Sequence, residues 1–164
     1  MKNRAKAMVL ILECLIAALC VFIFSNSLAT AELSDAQSGW VAALLRPILD
    51  PCGRMDPDVF HGLVRKLAHV TEFGLLGVLS GLVAGTVARS TKAALRAKWA
   101  WPVCSIRCVL VALCDEGIQT MVPGRSGSLT DVGIDCLGAA CGLFFAFIFT
   151  KIMIRYRERR TWQN

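Results

Sequence analysis

Four long apolar runs, separated by polar segments, limit the folds that this chain can adopt. Each run is long enough for an α-helix to cross the hydrocarbon core of a bilayer, which takes roughly 20 residues. A chain of 164 residues with 55% hydrophobic residues also has more apolar surface than a soluble core of that size can bury. We therefore predict an all-α, integral membrane four-helix bundle with short connections and one longer extracytoplasmic loop, forming a single domain over residues 1–164. The predicted helices cover residues 8–28, 67–88, 103–122 and 132–154.

The first apolar run has two interpretations. It follows Lys2, Arg4 and Lys6 and precedes an Ala-Thr-Ala sequence at residues 29–31, as the apolar region of a cleaved signal peptide would. The run is longer than the apolar region of a signal peptide, which has about 7 to 15 residues. We therefore expect a retained transmembrane helix.

The segment between the first two runs, residues 29–65, is polar and contains three prolines. Proline disfavours helix interiors, so we predict a loop in which residues 40–49 form at most a short amphipathic helix in the headgroup region. Asp56 before Pro57 is a good helix start, because aspartate caps free backbone N–H groups and proline fits the first helical position. The second membrane helix is therefore expected to begin before it enters lipid.

Basic residues cluster at three places: the N-terminus, the connection 89–98, which includes Lys92, and the tail 155–164. Cytoplasmic segments of membrane proteins carry the excess of lysine and arginine. We therefore predict that both termini and the 89–98 connection face the cytoplasm, whereas residues 29–65 and 123–130 face outward. The net charge of +6 is placed to meet the anionic headgroups of the lipid bilayer, so nucleic acid is not an expected partner.

Glycines at four-residue spacing mark one face of the second and fourth runs. They are Gly77, Gly81 and Gly85 in the second run and Gly138 and Gly142 in the fourth. Small residues along one stripe let another helix approach closely. The sequence leaves open whether these stripes pack within one chain or in a homo-oligomer.

Polar and charged residues gather at the predicted extracytoplasmic ends of the last three runs. An ionisable residue inside lipid costs roughly 2.5 to 3.5 kcal/mol on insertion scales, so such residues usually face a partner or a water-filled cavity. We predict that these side chains share one outward-facing polar pocket. The ligand-binding candidates are Lys66, His69, Glu72, Asp115, Glu116, Gln119, Arg125, Ser128, Asp131 and Asp135.

Three ionisable residues outside this group receive no functional role. Glu13 and Arg107 are expected near the cytoplasmic ends of their helices, where they pair or extend toward the headgroups. His61 is expected to be an exposed loop residue.

The segments that carry the polar residues have a pattern of their own. They are Phe24–Ser27, Arg65–Phe73, Asp115–Gln119 and the stretch from Pro123 to Asp135, which includes Ser126. This pattern resembles the VanZ-like family over nearly the whole chain. The resemblance implies a bacterial, multi-pass protein of the cytoplasmic (inner) membrane, in a family named for a member that lowers susceptibility to the glycopeptide antibiotic teicoplanin. It implies a cell-envelope role without supplying a reaction or a cofactor.

The pocket has three main interpretations, beside a proton-coupled transporter in which the carboxylates and the histidine relay protons. In the first, its ion pairs and hydrogen bonds only hold the bundle together, although five carboxylates then face two permanent cations and one histidine. In the second, it binds a cell-wall precursor or a glycopeptide-related ligand, with Lys66 and Arg125 contacting phosphate or carboxylate groups. In the third, the protein is an enzyme that acts on a lipid-linked substrate.

The catalytic candidates for an enzyme are His69, Glu72, Asp115 and Glu116. His69 would act as acid or base, oriented by Glu72. The adjacent Asp115 and Glu116 would share protons or hold a metal ion such as Mg²⁺ or Mn²⁺. The sequence has no nucleophile motif, phosphate loop or dense metal-ligand spacing. We therefore leave the enzymatic alternative open and assign no metal ligands and no cofactor.

Overall fold

The structure, a computed structural model, describes residues 2–90, 94–125 and 127–161. Within these ranges the chain forms five α-helices and no β-strand. The helices are α1 (Lys2–Ser27), α2 (Ala31–Leu49), α3 (Pro57–Ser90), α4 (Ala94–Gln119) and α5 (Leu129–Thr161). Parts of the predicted basic connection, turn and tail lie outside the described residues, namely Lys92, Ser126 and residues 162–164.

Four of the helices, α1, α3, α4 and α5, are long and apolar enough to cross a membrane, as the four apolar runs predict. Two of them begin at local capping signals. The Asp56 side chain accepts a hydrogen bond of 3.0 Å from the Asp58 N–H, and α3 begins at Pro57, before the apolar run. At the start of α5 the Asp131 N–H donates to the Ser128 hydroxyl over 3.1 Å. The early start of α3 and the cap before α5 are therefore confirmed.

The prediction of a long loop after the first span is wrong for most of its length, because residues 31–49 form the helix α2. The Thr30 side chain caps its N-terminus, and Pro47 falls in its last turn. A proline so near the end of a helix removes one backbone hydrogen bond without stopping the turns before it. The described part of the chain therefore has five helices, four of them both long and apolar enough to span a membrane.

The second half of α2 is amphipathic, as the sequence suggests. Trp40, Leu44 and Ile48 recur every four residues on one face and are 72%, 66% and 72% exposed. On the opposite face, Ala42 packs in a small apolar cluster with Phe60 of α3. One face of α2 is thus attached to α3, and the other presents an apolar stripe suited to the headgroup region.

α3 is the central helix, and its most extensive contact is with α5. The predicted glycine stripes form this contact within one chain. A Cβ atom added to Gly138 would lie 2.6 Å from the carbonyl oxygen of Val70, and one added to Gly142 would overlap the carbonyl oxygen of Gly74. Side chains larger than hydrogen would force the two helices apart. The glycine stripes therefore set the distance between α3 and α5.

Glu13 of α1 and Arg107 of α4 form an ion pair, in which Nη1 lies 2.9 and 2.7 Å from the two carboxylate oxygens. The pairing is as predicted, but its position is not. Both residues lie near the middle of their helices rather than near the ends, because α1 begins at Lys2 and α4 at Ala94. Each charge therefore compensates the other within helices that are apolar enough to cross a membrane, where an isolated charge is costly.

Candidate functional site

A polar cavity of about 340 Å³ opens between the start of α3, the end of α4 and the start of α5. Seven of the ten predicted site residues line it. The other three, Glu72, Asp115 and Ser128, belong to the hydrogen bonds and charge contacts around it. The seven lining residues are Lys66, His69, Glu116, Gln119, Arg125, Asp131 and Asp135.

Asp115 of α4 is fully buried, and its carboxylate has two side-chain donors. One is the hydroxyl of Ser27 at the end of α1. The other is the amide of Gln119, which donates over 2.9 Å to Asp115 and over 3.4 Å to the Ser27 oxygen. These bonds hold the Asp115 carboxylate in one orientation and connect α1 to α4.

His69 of α3 lies between two carboxylates. Its Nδ1 is 3.5 Å from Oδ2 of Asp115 and 3.6 Å from Oδ1 of Asp135. The ring of Phe73, one turn further along α3, lies nearly parallel to the imidazole, with 9° between the planes and 6.5 Å between the centroids. Ligand atoms of His69, Asp115 and Asp135 all lie within 4.8 Å of one another. Three groups this close can share one cation.

The start of α5 forms another wall of the cavity. The Ser128 N–H donates to the Glu116 carboxylate over 2.8 Å, and the Ser128 hydroxyl donates to Asp131 over 2.8 Å. The ammonium group of Lys66 on α3 is 3.1 Å from Asp131. Lys66 therefore pairs with Asp131, a partner that the sequence does not single out.

Arg125 connects the turn after α4 to the end of α1. Its guanidinium donates to the backbone carbonyl oxygens of Asn26 and Ala29 over 2.9 and 3.3 Å. Gly124 precedes it with a φ of 79°, a left-handed conformation that favours glycine. The turn thus directs Arg125 toward α1 while its side chain still lines the cavity.

Asp115 and Glu116 do not form the pair that the enzymatic interpretation assumes. Neighbouring residues on an α-helix point about 100° apart. The Asp115 carboxylate bonds to the end of α1, whereas the Glu116 carboxylate bonds to the start of α5. The structure instead groups Asp115 with His69 and Asp135.

The sequence-based candidate list lacks two polar residues at the end of α1. The side-chain amide of Asn26 donates to the Glu72 carboxylate over 3.1 Å, and Ser27 donates to Asp115. Both belong to the short polar sequence that ends the first apolar run. Those polar residues could have indicated that α1 also contacts the site. The polar network therefore includes α1 as well as the other three membrane helices.

The assignment of His61 to an exposed loop is wrong, because α3 begins at Pro57 and includes it. His61, Arg65 and His69 are four residues apart, and all three line the cavity. On a helix this spacing places side chains on one face. This spacing points to a shared face only if the helix is taken to begin at Pro57, because the predicted helix began at residue 67.

Comparison with known proteins supports the family resemblance of the four polar segments described in the sequence analysis. A family model described as VanZ/LLP1 matches residues 12–150. No curated protein and no solved structure shows significant similarity to the chain. The matched range contains every residue of the cavity, and it includes all of α2, α3 and α4 and most of α1 and α5. The chain therefore belongs to the VanZ/LLP1 family.

Proposed function

We propose that the cavity binds the polar head group of a cell-envelope component, of the class of lipid-linked cell-wall precursors. The observation that carries the proposal is that Arg65, Lys66 and Arg125 line the same space as Asp131 and Asp135. Basic side chains suit phosphate or carboxylate groups, whereas carboxylates suit amines and sugar hydroxyls. The volume of about 340 Å³ falls in the range of small-molecule sites.

The proposal places the cavity on the extracytoplasmic side of a bacterial cytoplasmic membrane. It is supported by the distribution of basic residues, which are dense at both termini and in the 89–98 connection. The cavity lies at the opposite helix ends, between the start of α3 and the end of α4. A head group in the outer leaflet would then reach it from the lipid.

Reporter fusions test this orientation. We expect a cytoplasmic reporter to be active when fused after Asn164 and inactive when inserted at Cys52, because the basic segments are retained in the cytoplasm. The matched measurement uses an extracytoplasmic reporter at the same two positions, which should give the reverse pattern. An extracytoplasmic C-terminus would place the cavity on the cytoplasmic side and contradict the proposal.

Membership of the VanZ/LLP1 family supports a role in tolerance of glycopeptide antibiotics such as teicoplanin. An envelope component held in the cavity would be shielded from an antibiotic that acts on it. The role follows from the proposed binding and is measured as the lowest antibiotic concentration that stops growth.

Changing Lys66 to glutamine is expected to reduce this protection while leaving the protein folded. The Lys66 side chain is 54% exposed, so its loss costs little packing, but it removes one positive charge from the cavity wall. A hydrogen bond to a charged group contributes about 1.5 to 3 kcal/mol, which corresponds to roughly ten-fold or more in affinity. Susceptibility to teicoplanin is measured beside membrane abundance and melting temperature.

Lys98→Gln is the matched control, because Lys98 is an exposed cation of α4 that does not line the cavity. It should leave protection unchanged. Protection that falls only together with abundance or melting temperature in Lys66→Gln would favour a purely structural, ion-paired bundle. Equal protection by both variants would contradict a role for Lys66 in binding.

A further inference from the structure

Four side chains that line the cavity have a buried polar atom without a hydrogen-bond partner among the described residues, namely those of His61, His69, Asp131 and Asp135. Oδ2 of Asp135 and Nδ1 of His69 are buried, and neither has a hydrogen-bond partner among the described residues. Asp135 as a whole is only 1% exposed. A buried carboxylate oxygen without a donor is costly, so native structures normally satisfy it with a hydrogen bond, a water molecule or an ion. Oδ2 of Asp135 therefore has unused capacity to accept a hydrogen bond or to bind a cation.

Two of the distances within this group match the ligand shell of a small metal ion, and all of its ligand atoms lie within 4.8 Å of one another. Two ligands that each lie about 2.1 Å from a tetrahedral Zn²⁺ are about 3.4 Å apart. Nδ1 of His69 is 3.5 Å from Oδ2 of Asp115 and 3.6 Å from Oδ1 of Asp135. These separations are long for hydrogen bonds, but they require little movement to bind one cation.

The surroundings of the group also fit a metal site. The ligating atoms of a metal site are usually held by further hydrogen bonds, and Asp115 accepts such bonds from Ser27 and Gln119. The Lys66 ammonium is engaged with Asp131, one turn before Asp135 on α5. A divalent cation would supply positive charge where three membrane helices bring carboxylates together.

We propose that His69, Asp115 and Asp135 bind one divalent metal ion, with Zn²⁺ as the best match to one imidazole and two carboxylates. His69 and Asp135 line the cavity, whereas Asp115 is fully buried and does not line it. Three protein ligands leave one tetrahedral position for water or for an oxygen of a bound molecule. Because two of the three ligands line the cavity, we expect that position to be reached from it. The metal site stands without the proposed head group, which would supply only the fourth ligand.

The full-length protein, purified in detergent, tests the metal site directly. We expect one Zn²⁺ per chain by elemental analysis after loading and dialysis, and an increase in melting temperature when Zn²⁺ is added. Asp135→Asn should bind Zn²⁺ at least about ten-fold more weakly, since loss of a single outer-shell partner already costs ten-fold or more. Asp58→Asn, which changes an exposed carboxylate in the first turn of α3, should bind as the wild type does.

Co²⁺ titration of the wild-type protein gives a second measurement that needs no variant. Strong visible absorption is expected, because four-coordinate Co²⁺ absorbs far more than Co²⁺ in water. Absence of Zn²⁺ from folded wild-type protein, or equal Zn²⁺ binding by Asp135→Asn, would overturn the site and leave a protonated His69 as the cation between the two carboxylates. Both assays lack any envelope component, so their failure is distinct from a failure of the proposed head-group binding.

Discussion

A Gly142→Ala variant is expected to lose about 3 kcal/mol of stability, because one methyl group would occupy the space of a backbone atom. The added Cβ would overlap the carbonyl oxygen of Gly74 on α3. A backbone carbonyl cannot rotate away as a side chain can, so α5 would have to move from α3 along their main contact. Thermal unfolding in detergent measures the loss, and membrane abundance should fall with it.

Gly133→Ala is the matched control on the same helix. A Cβ atom at Gly133 would have no atom outside its own helix within 4 Å. Alanine is also a better helix former than glycine by up to about 1 kcal/mol, so the control should be unchanged or slightly stabilised. Equal melting temperatures for the two variants would show that the close approach of α3 and α5 is wrong.

The second large effect is expected from Arg107→Leu, which leaves the Glu13 carboxylate without its partner between α1 and α4. The pair is only partly buried in the protein, but an uncompensated charge within a membrane-spanning helix costs roughly 2.5 to 3.5 kcal/mol on insertion scales. We therefore expect a much lower melting temperature and less inserted protein. The cavity-lining residues of α4, Glu116 and Gln119, lie more than two turns beyond Arg107, so the variant tests the bundle rather than the site.

The double variant Glu13→Leu with Arg107→Leu completes a thermodynamic cycle. Replacing both charges by apolar side chains removes the uncompensated carboxylate and restores contact with lipid or neighbouring helices. Its stability should return close to that of the wild type. A double variant as unstable as Arg107→Leu alone would mean that the arginine stabilises the bundle through other contacts.

Local sequence was sufficient for the membrane helices and for two of their starts. The length of each apolar run predicts a span without reference to the rest of the chain, since a bilayer has a fixed thickness. Asp56 and Ser128 cap helices through bonds to residues two or three positions away. Only the second half of α2 was predicted as a possible helix, because its first half is polar and prolines follow it, whereas its contact with Phe60 of α3 is tertiary.

For the polar residues, too, the sequence predicted one part of the arrangement and the tertiary structure decided the other. Helical periodicity predicted that residues such as His69 and Asp135 face the bundle interior at one end, because lipid excludes them. It could not predict that Asp135, and not Glu116, lies beside Asp115, since this depends on how each helix is rotated against its neighbours. The glycine contacts between α3 and α5 set part of that rotation. The sequence thus determined which side chains leave the lipid, and only the packing of the helices decided which of them meet.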